Sequence, residues 1–203
     1  MSLDSALALV GFAFVMSISP GPGNFLLLAS GANFGFVRSL PLVLGISLGF
    51  LSMVFLVGIG LGQILQQLPA AYTGLKVVCA GYVLWLAWKI ARSRPLAPKD
   101  DGIARAPIGF VQAALFQLVN PKAWAVALIV TVSYTDPDNY LVSLVLMIAL
   151  FAAVNLPAIS VWAVSGAALQ RLLNTPRTLA AFNLVMALLL VGSMAWVLFG
   201  SSA

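Results

Sequence analysis

The chain has 203 residues, of which 62% are hydrophobic and only 7% are charged, against roughly 25% charged in a typical soluble domain. This composition predicts an integral membrane protein with the lipid bilayer as its surroundings. With no histidine and a single cysteine, Cys79, the chain has no His/Cys metal set or redox pair, so we expect no cofactor and no redox enzyme. The net charge of +5 indicates no nucleic-acid partner, because the basic residues serve as markers of the membrane topology.

The apolar segments predict six transmembrane helices in an all-α fold. Their expected ranges are residues 5–30, 39–62, 70–91, 108–133, 139–168 and 178–199. Eight of the ten basic residues lie in or beside the first, third and fifth loops, at positions 38, 89, 92, 94, 99, 105, 171 and 177. By the positive-inside rule these loops are cytoplasmic, and both termini face the periplasm or the exterior.

A polar, proline-rich stretch at residues 92–107 divides the chain into two groups of three spans. We expect one transmembrane domain over residues 1–203, in which repeat one is 1–91, the cytoplasmic linker is 92–107 and repeat two is 108–203. Because three is odd, the second repeat must be inverted relative to the first. Inverted repeats with broken helices surround the central sites of many secondary transporters.

The first span is interrupted by Ser19-Pro20-Gly21-Pro22-Gly23-Asn24. Both prolines disfavour helical geometry in the residue before them, and the two glycines permit backbone conformations that other residues avoid, so this span should be a broken helix. Carbonyls freed before the break could accept from an ammonium, and free amides after it could hold a carboxylate, which suits a zwitterionic amino acid. Asn24 would read the ligand or cap the second half-helix. The alternative is a packing kink or a loop.

The fourth span carries a corresponding interruption at Asn120-Pro121-Lys122. A charge inside a span costs about 2.5–3.5 kcal/mol, so Lys122 needs a reason to be there. It would bind a substrate carboxylate, couple transport to protons, or extend its stem towards the cytoplasmic headgroups. Paired breaks in two halves of a chain indicate a substrate site near the middle of the bilayer.

Three further residues are candidates for the translocation path. Asn155-Leu156-Pro157 is expected to break the fifth span, with Asn155 offering a second amide and Pro157 forming the break or a simple kink. Lys76 lies inside the outer end of the third span, as a path residue or an interfacial lysine. No Asp or Glu lies deep in any span, so proton coupling would have to use Lys76, Lys122 or tyrosines such as Tyr72 and Tyr82, use protonation of the substrate, or occur without a dedicated carrier.

Glycine pairs at small-xxx-small spacing predict close helix packing. They are Gly31/Gly35, Gly45/Gly49 and Gly58/Gly62. A sliding surface or a contact in a homo-oligomer is the alternative reading of these pairs.

The chain resembles the LysE/RhtB family of bacterial amino-acid exporters nearly from end to end. The resemblance rests on the two broken-helix motifs, on Gly35-Phe36-Val37-Arg38, on Gly45-Ile46-Ser47-Leu48-Gly49-Phe50, on Ala80-Gly81-Tyr82 with Leu84 to Lys89, and on Gln117 to Ala123. Residues 86–91 and 184–191 look most like the cysteine/O-acetylserine exporter branch.

This resemblance implies export of amino acids across the bacterial inner (plasma) membrane by proton antiport, and no enzymatic activity. Family members often place an aspartate in span five where this chain has Asn155. Neutral substrates are therefore favoured, such as O-acetylserine, cysteine, threonine, homoserine or leucine. A passive small-solute channel and a structural membrane subunit are the alternative functions.

Overall fold

The computed structural model describes residues 3–60, 69–93, 107–173 and 175–199, and only the backbone of residues 69–76, 78–79 and 193–199. These ranges form eight α-helices and a short 3-10 turn at Pro137–Asn139. The helices are α1 Leu3–Ile18, α2 Pro22–Phe34, α3 Phe36–Gly58, α4 Pro69–Ala91, α5 Phe110–Val119, α6 Pro121–Ser133, α7 Tyr140–Leu169 and α8 Pro176–Phe199.

Two of the predicted spans are bent helix pairs. The axes of α1 and α2 differ by 57°, and those of α5 and α6 by 72°. Pro22 and Pro121 stand at the first turn of α2 and α6, where a missing amide costs nothing, and Gly21 and Asn120 before them have extended backbones. Both predicted breaks are confirmed as bends.

The break predicted at Pro157 is wrong, because α7 is one continuous helix with this proline inside it. A lone proline removes a single intrahelical hydrogen bond, and Leu156 before it stays helical. In an apolar setting a full break would free several more backbone groups that have no partners there, so the helix continues.

Several of the described helices have the length and the apolar composition of membrane-spanning helices. Helix α3 and the segment Pro137–Leu169 are each long and apolar enough to cross a bilayer, and the two bent pairs qualify if each counts as one span. Large apolar side chains lie on the outside of the helices, among them Leu7, Phe14, Val142 and Leu188. Such a surface matches lipid and not water.

Each bent pair packs against a continuous helix of the other half of the chain. Helices α1 and α2 pack on α7, and α5 and α6 pack on α3. Helices α3 and α7 pack on each other, and α4 packs on α8. The halves are thus interleaved, and both breaks are brought to the middle of the molecule.

Glycines allow two of these helix crossings to be close. A Cβ on Gly31 of α2 would overlap the backbone of Ala163 in α7, and one on Gly166 of α7 would overlap that of Leu28. Gly45 and Gly49 of α3 lie in the same way against α5. The predicted role of Gly31, Gly45 and Gly49 in close packing is confirmed. Gly35 instead forms the one-residue turn between α2 and α3 at φ 80°, a conformation that favours glycine.

The buried apolar side chains form two clusters. The first cluster joins α2 and α5 with α4 and α8, and contains Leu27, Leu86, Phe116 and Leu190. The second joins α1 and α6 with α7 and the second half of α3, and contains Leu9, Val126 and Phe151. One arm of each bent pair belongs to each cluster, so the breaks lie at the boundary between two apolar layers.

Candidate functional site

The two breaks face each other across a cavity of about 60 Å³. One water needs roughly 10–15 Å³ by this measure, so the cavity has room for a few waters or for the polar part of a small solute. Its polar lining consists of Ser17, Asn24, Gln117, Asn120, Lys122 and Asn155. Its apolar lining consists of Met16, Ile46, Phe50, Ala123, Val126, Phe151 and Ile159, with Gly21 and Gly23 completing the wall.

The Lys122 ammonium connects one break to the other. Its Nζ donates to the Ser19 carbonyl oxygen at 2.7 Å and to the Ser19 hydroxyl at 2.8 Å. The side chain therefore turns into the cavity and does not extend along the bundle towards headgroups. Among the described residues that line the cavity there is no carboxylate, so this cation is balanced there only by neutral oxygens.

The carbonyls freed at the end of α1 are already bonded to side chains of the protein. Asn24 Nδ2 donates to the carbonyls of Ser17 at 2.9 Å and Ser19 at 2.8 Å. Trp162 Nε1 donates to the carbonyl of Ile18 at 3.2 Å. The expectation that these carbonyls are open to a substrate ammonium is wrong, because the low-polarity interior favours their satisfaction by buried donors. Asn24 thus closes the end of α1 and does not cap α2.

The beginning of α2 presents its first amides to the cavity. No side chain caps this helix, whose N-cap is Gly21, and Gly23 and Asn24 of its first turn are lining residues. A helix N-terminus carries partial positive charge and free N–H groups, which favour an anion. The beginning of α6 differs, because the Asn120 side chain accepts from the Lys122 amide at 3.2 Å.

Gly21 matters here for space and not for backbone freedom. Its φ of −174° and ψ of 173° are an extended conformation open to any residue. A Cβ at this position would lie 2.9 Å from Lys122 Cδ, so glycine leaves room for the lysine stem. Gly23 would tolerate a Cβ, whose nearest neighbour would be Ile46 at 3.7 Å. Pro20, Pro22 and Pro121 shape the breaks and do not line the cavity.

Two buried amides in the lining have an unused polar atom. Asn155 Nδ2 donates to the Ser17 hydroxyl at 2.9 Å, but its Oδ1 has no hydrogen-bond partner among the described residues. Gln117 Oε1 accepts from Asn120 Nδ2 at 3.3 Å, while its Nε2 is equally unpartnered there. Sequence reasoning missed Gln117 as a site residue. The sequence did contain a signal for it, because Gln117 places an amide side chain one helical turn before the Asn-Pro-Lys motif.

Two of the predicted path residues do not join this arrangement. Pro157 is exposed on the outer face of α7 and does not line the cavity. The side chain of Lys76 lies outside the described part of the structure, which gives only the helical backbone of α4 at that position.

A second polar cluster, which we call the linker-end latch, lies where α2, α4 and α8 meet beside the linker. It consists of Asn33, Asn183 and the Ser93 carbonyl. The two amides bond reciprocally at 2.6 and 3.0 Å, and Asn183 Nδ2 also donates to Ser93 at 2.9 Å. Both asparagines are buried. Their long sequence separation gave no signal that they would meet.

The fold and the site together define a helical membrane protein with a small polar cavity between two broken helices, which is the architecture of a solute transporter. A family model described as LysE type translocator matches residues 14–199. The chain belongs to this family, as the motifs predicted, and it is a transporter and not an enzyme.

Individual relatives carry a more specific description. The cysteine/O-acetylserine efflux proteins of Escherichia coli strain K12 and Shigella flexneri are each 34% identical to this chain over 182 residues. The matched region covers 89% of this chain and 90% of each relative. No solved structure matches the chain.

Proposed function

We propose that this protein exports neutral amino acids or their close derivatives from the cytoplasm across the bacterial inner membrane. The observation that carries the proposal is the Lys122 ammonium, which enters a polar cavity whose described lining holds no carboxylate. A cation inside an apolar protein is costly unless it is paired. A substrate carboxylate supplies the missing counter-ion.

The cavity offers complementary groups for both ends of an amino acid. The carboxylate binds between Lys122 Nζ and the first amides of α2, because Lys122 passes beside Gly21 at the start of that helix, where a Cβ would lie 3.3 Å from Nζ. The ammonium donates to Asn155 Oδ1, a lining acceptor that has no partner in the part of the chain that the structure describes. The Ser17 hydroxyl, bonded to the same amide at 2.9 Å, holds Asn155 in place.

The charge of the site favours neutral over basic substrates. With Lys122 as the ionised side chain of the lining, a bound zwitterion leaves the net charge of the cavity at about +1, whereas a basic amino acid raises it to about +2. The efflux proteins for cysteine and O-acetylserine, both neutral amino acids, are relatives in line with this preference.

The same proposal includes six membrane spans arranged as two inverted repeats, residues 1–91 and 108–203, joined by a cytoplasmic linker. The reciprocal packing supports it, since the bent pair of the first half packs on α7 and that of the second half packs on α3. Movement of one half against the other around the two breaks then gives alternating access. Both termini face the periplasm in this topology. The proton is the proposed coupling ion, with Lys122 as the ionisable group of the lining that exchanges it.

Counterflow in proteoliposomes tests the proposal. Purified protein is reconstituted, loaded with unlabelled amino acid and exposed to labelled O-acetylserine, cysteine, threonine or leucine, with and without an imposed pH gradient. We expect saturable counterflow that responds to the gradient. Non-saturable flux without counterflow would indicate a channel, and folded protein with no flux for any substrate would indicate a structural role.

A further inference from the structure

We infer that Gln117 reads the side chain of the transported amino acid by donating a hydrogen bond from Nε2 to an oxygen on it. The inference rests on the proposed function and narrows its substrate class to neutral amino acids whose side chain ends in a carbonyl or hydroxyl oxygen. Its basis is a side chain that is only 2% exposed, lines the cavity and has an Nε2 with no hydrogen-bond partner among the described residues.

A buried donor without a partner is unusual and costly. Leaving such a group unsatisfied is unfavourable, so a bound solute that accepts from it binds at least about tenfold more tightly than one that does not. The Gln117 amide is also held in one orientation, because Asn120 Nδ2 donates to its Oε1 at 3.3 Å. The donor is therefore prepositioned, which is how sites discriminate between similar ligands.

The other parts of an amino acid already have partners elsewhere in the cavity. The carboxylate belongs beside Gly21 and Lys122, at the first break. The ammonium belongs at Asn155 on α7. Gln117 lies on the last turn of α5, and the group left for it is the substrate side chain. Ile46, Phe50 and Phe151 of the same lining are apolar, so once the cavity widens around a substrate they contact the carbon atoms of that side chain and give its oxygen no other donor.

A matched pair of substrates tests this contact in the native protein. O-acetylserine carries an ester. Homoleucine has the same number and branching of heavy atoms, with CH₂ and CH₃ in place of the two ester oxygens. We expect native protein in proteoliposomes to transport O-acetylserine with a kcat/KM about tenfold or more above that of homoleucine. Equal transport of the pair overturns the inference without any variant.

The substitution Gln117→Met keeps the length of the side chain and removes the donor. We expect it to abolish the tenfold preference by lowering kcat/KM for O-acetylserine, while homoleucine transport is kept or raised. Gln170→Met, the same change at an exposed position at the end of α7, should leave the preference intact.

The outcomes separate this inference from the proposed function. An equal loss for both substrates in Gln117→Met shows that Gln117 holds the common part of the substrate or the fold, and it overturns side-chain recognition. Saturable transport of leucine and homoleucine with none of O-acetylserine overturns the inference and leaves amino-acid transport standing. Native protein that transports no amino acid overturns both.

Discussion

The Lys122 ammonium lies at the centre of the site in a position that sequence reasoning left open. Of the alternatives considered, extension towards headgroups is wrong, since Nζ bonds to Ser19 of the opposite break. Ser19 also accepts from Asn24, so its carbonyl remains bonded if Lys122 moves. The lysine can therefore leave Ser19 for a substrate carboxylate without creating an orphaned carbonyl.

Lys122→Met should reduce saturable transport by about 10- to 100-fold, because a charge-assisted hydrogen bond contributes about 1.5–3 kcal/mol. The variant should still insert and fold, since the Ser19 carbonyl keeps its bond from Asn24. The measurement is initial counterflow rate at matched protein density in the membrane. Arg177→Met at an exposed position is the control. Near-native flux in Lys122→Met would remove this residue from the mechanism.

Asn155→Asp should extend transport to basic amino acids. A carboxylate in the lining would offset the Lys122 charge, and at an effective dielectric constant near 20 even unit charges about 10 Å apart interact by about 1.7 kcal/mol, which is more than tenfold in the affinity for a basic relative to a neutral substrate. The ratio of lysine to leucine counterflow measures the change. Asn139→Asp, on an exposed residue, should leave that ratio unaltered. An unchanged ratio in Asn155→Asp would show that the net charge of the cavity does not set the preference for neutral substrates.

At the scale of helices, bending requires more than a proline. Both bent pairs have the residue before the first-turn proline in an extended conformation, whereas α7 passes through Pro157 without interruption. The difference is that each break has side-chain partners for its freed carbonyls, Asn24 and Trp162 at the end of α1 and Trp124 at the end of α5. The close α2–α7 crossing then fixes the first break against the second half of the chain.

Gly31→Ala should lower the stability of the protein by about 1–3 kcal/mol, because the added Cβ meets the backbone of Ala163, which cannot rotate away. In detergent we expect the variant to unfold at a temperature several degrees below the unfolding temperature of the native protein. Gly11→Ala is the matched control, since nothing lies within 4 Å of a Cβ there. Equal unfolding temperatures for the two variants would contradict the proposed close crossing.

At the scale of the whole molecule, the cavity lies between two apolar clusters, and polar contacts join helices at the end beside the linker. The linker-end latch holds α2, α4 and α8 together through Asn33, Asn183 and Ser93. On the same side, Lys89 Nζ donates to Gln112 Oε1 at 3.1 Å and joins α4 to α5. If the linker end is cytoplasmic, as proposed, we expect these bonds to break when the cavity opens on that side.

Asn183→Leu should therefore raise access to the cavity from the linker side. In a Cys79→Ser background, Ala123→Cys places a thiol in the lining for an impermeant maleimide. We expect labelling in inside-out vesicles to quicken about tenfold in Asn183→Leu, since each lost hydrogen bond contributes about 0.5–1.5 kcal/mol. Asn139→Leu serves as the control. Labelling at the native rate would argue that the latch is purely structural.

The amino-acid sequence alone determined the membrane class, the helical segments, the two bends and the family. These properties follow from local composition and from proline geometry, which act over a few residues at a time. It also identified Lys122, Asn120 and Asn155, because a charge or an amide inside an apolar span is conspicuous.

Only the tertiary structure decided which of these groups meet. It brought Lys122 to Ser19, closed the α1 carbonyls with Asn24 and Trp162, and left Gln117 and Asn155 each with one unused atom. It also kept α7 whole through Pro157. Partners more than 100 residues apart, such as Lys122 and Ser19, are set by the packing of the two halves. The hydrogen bonds of a buried polar group depend on that packing, and no local pattern encodes it.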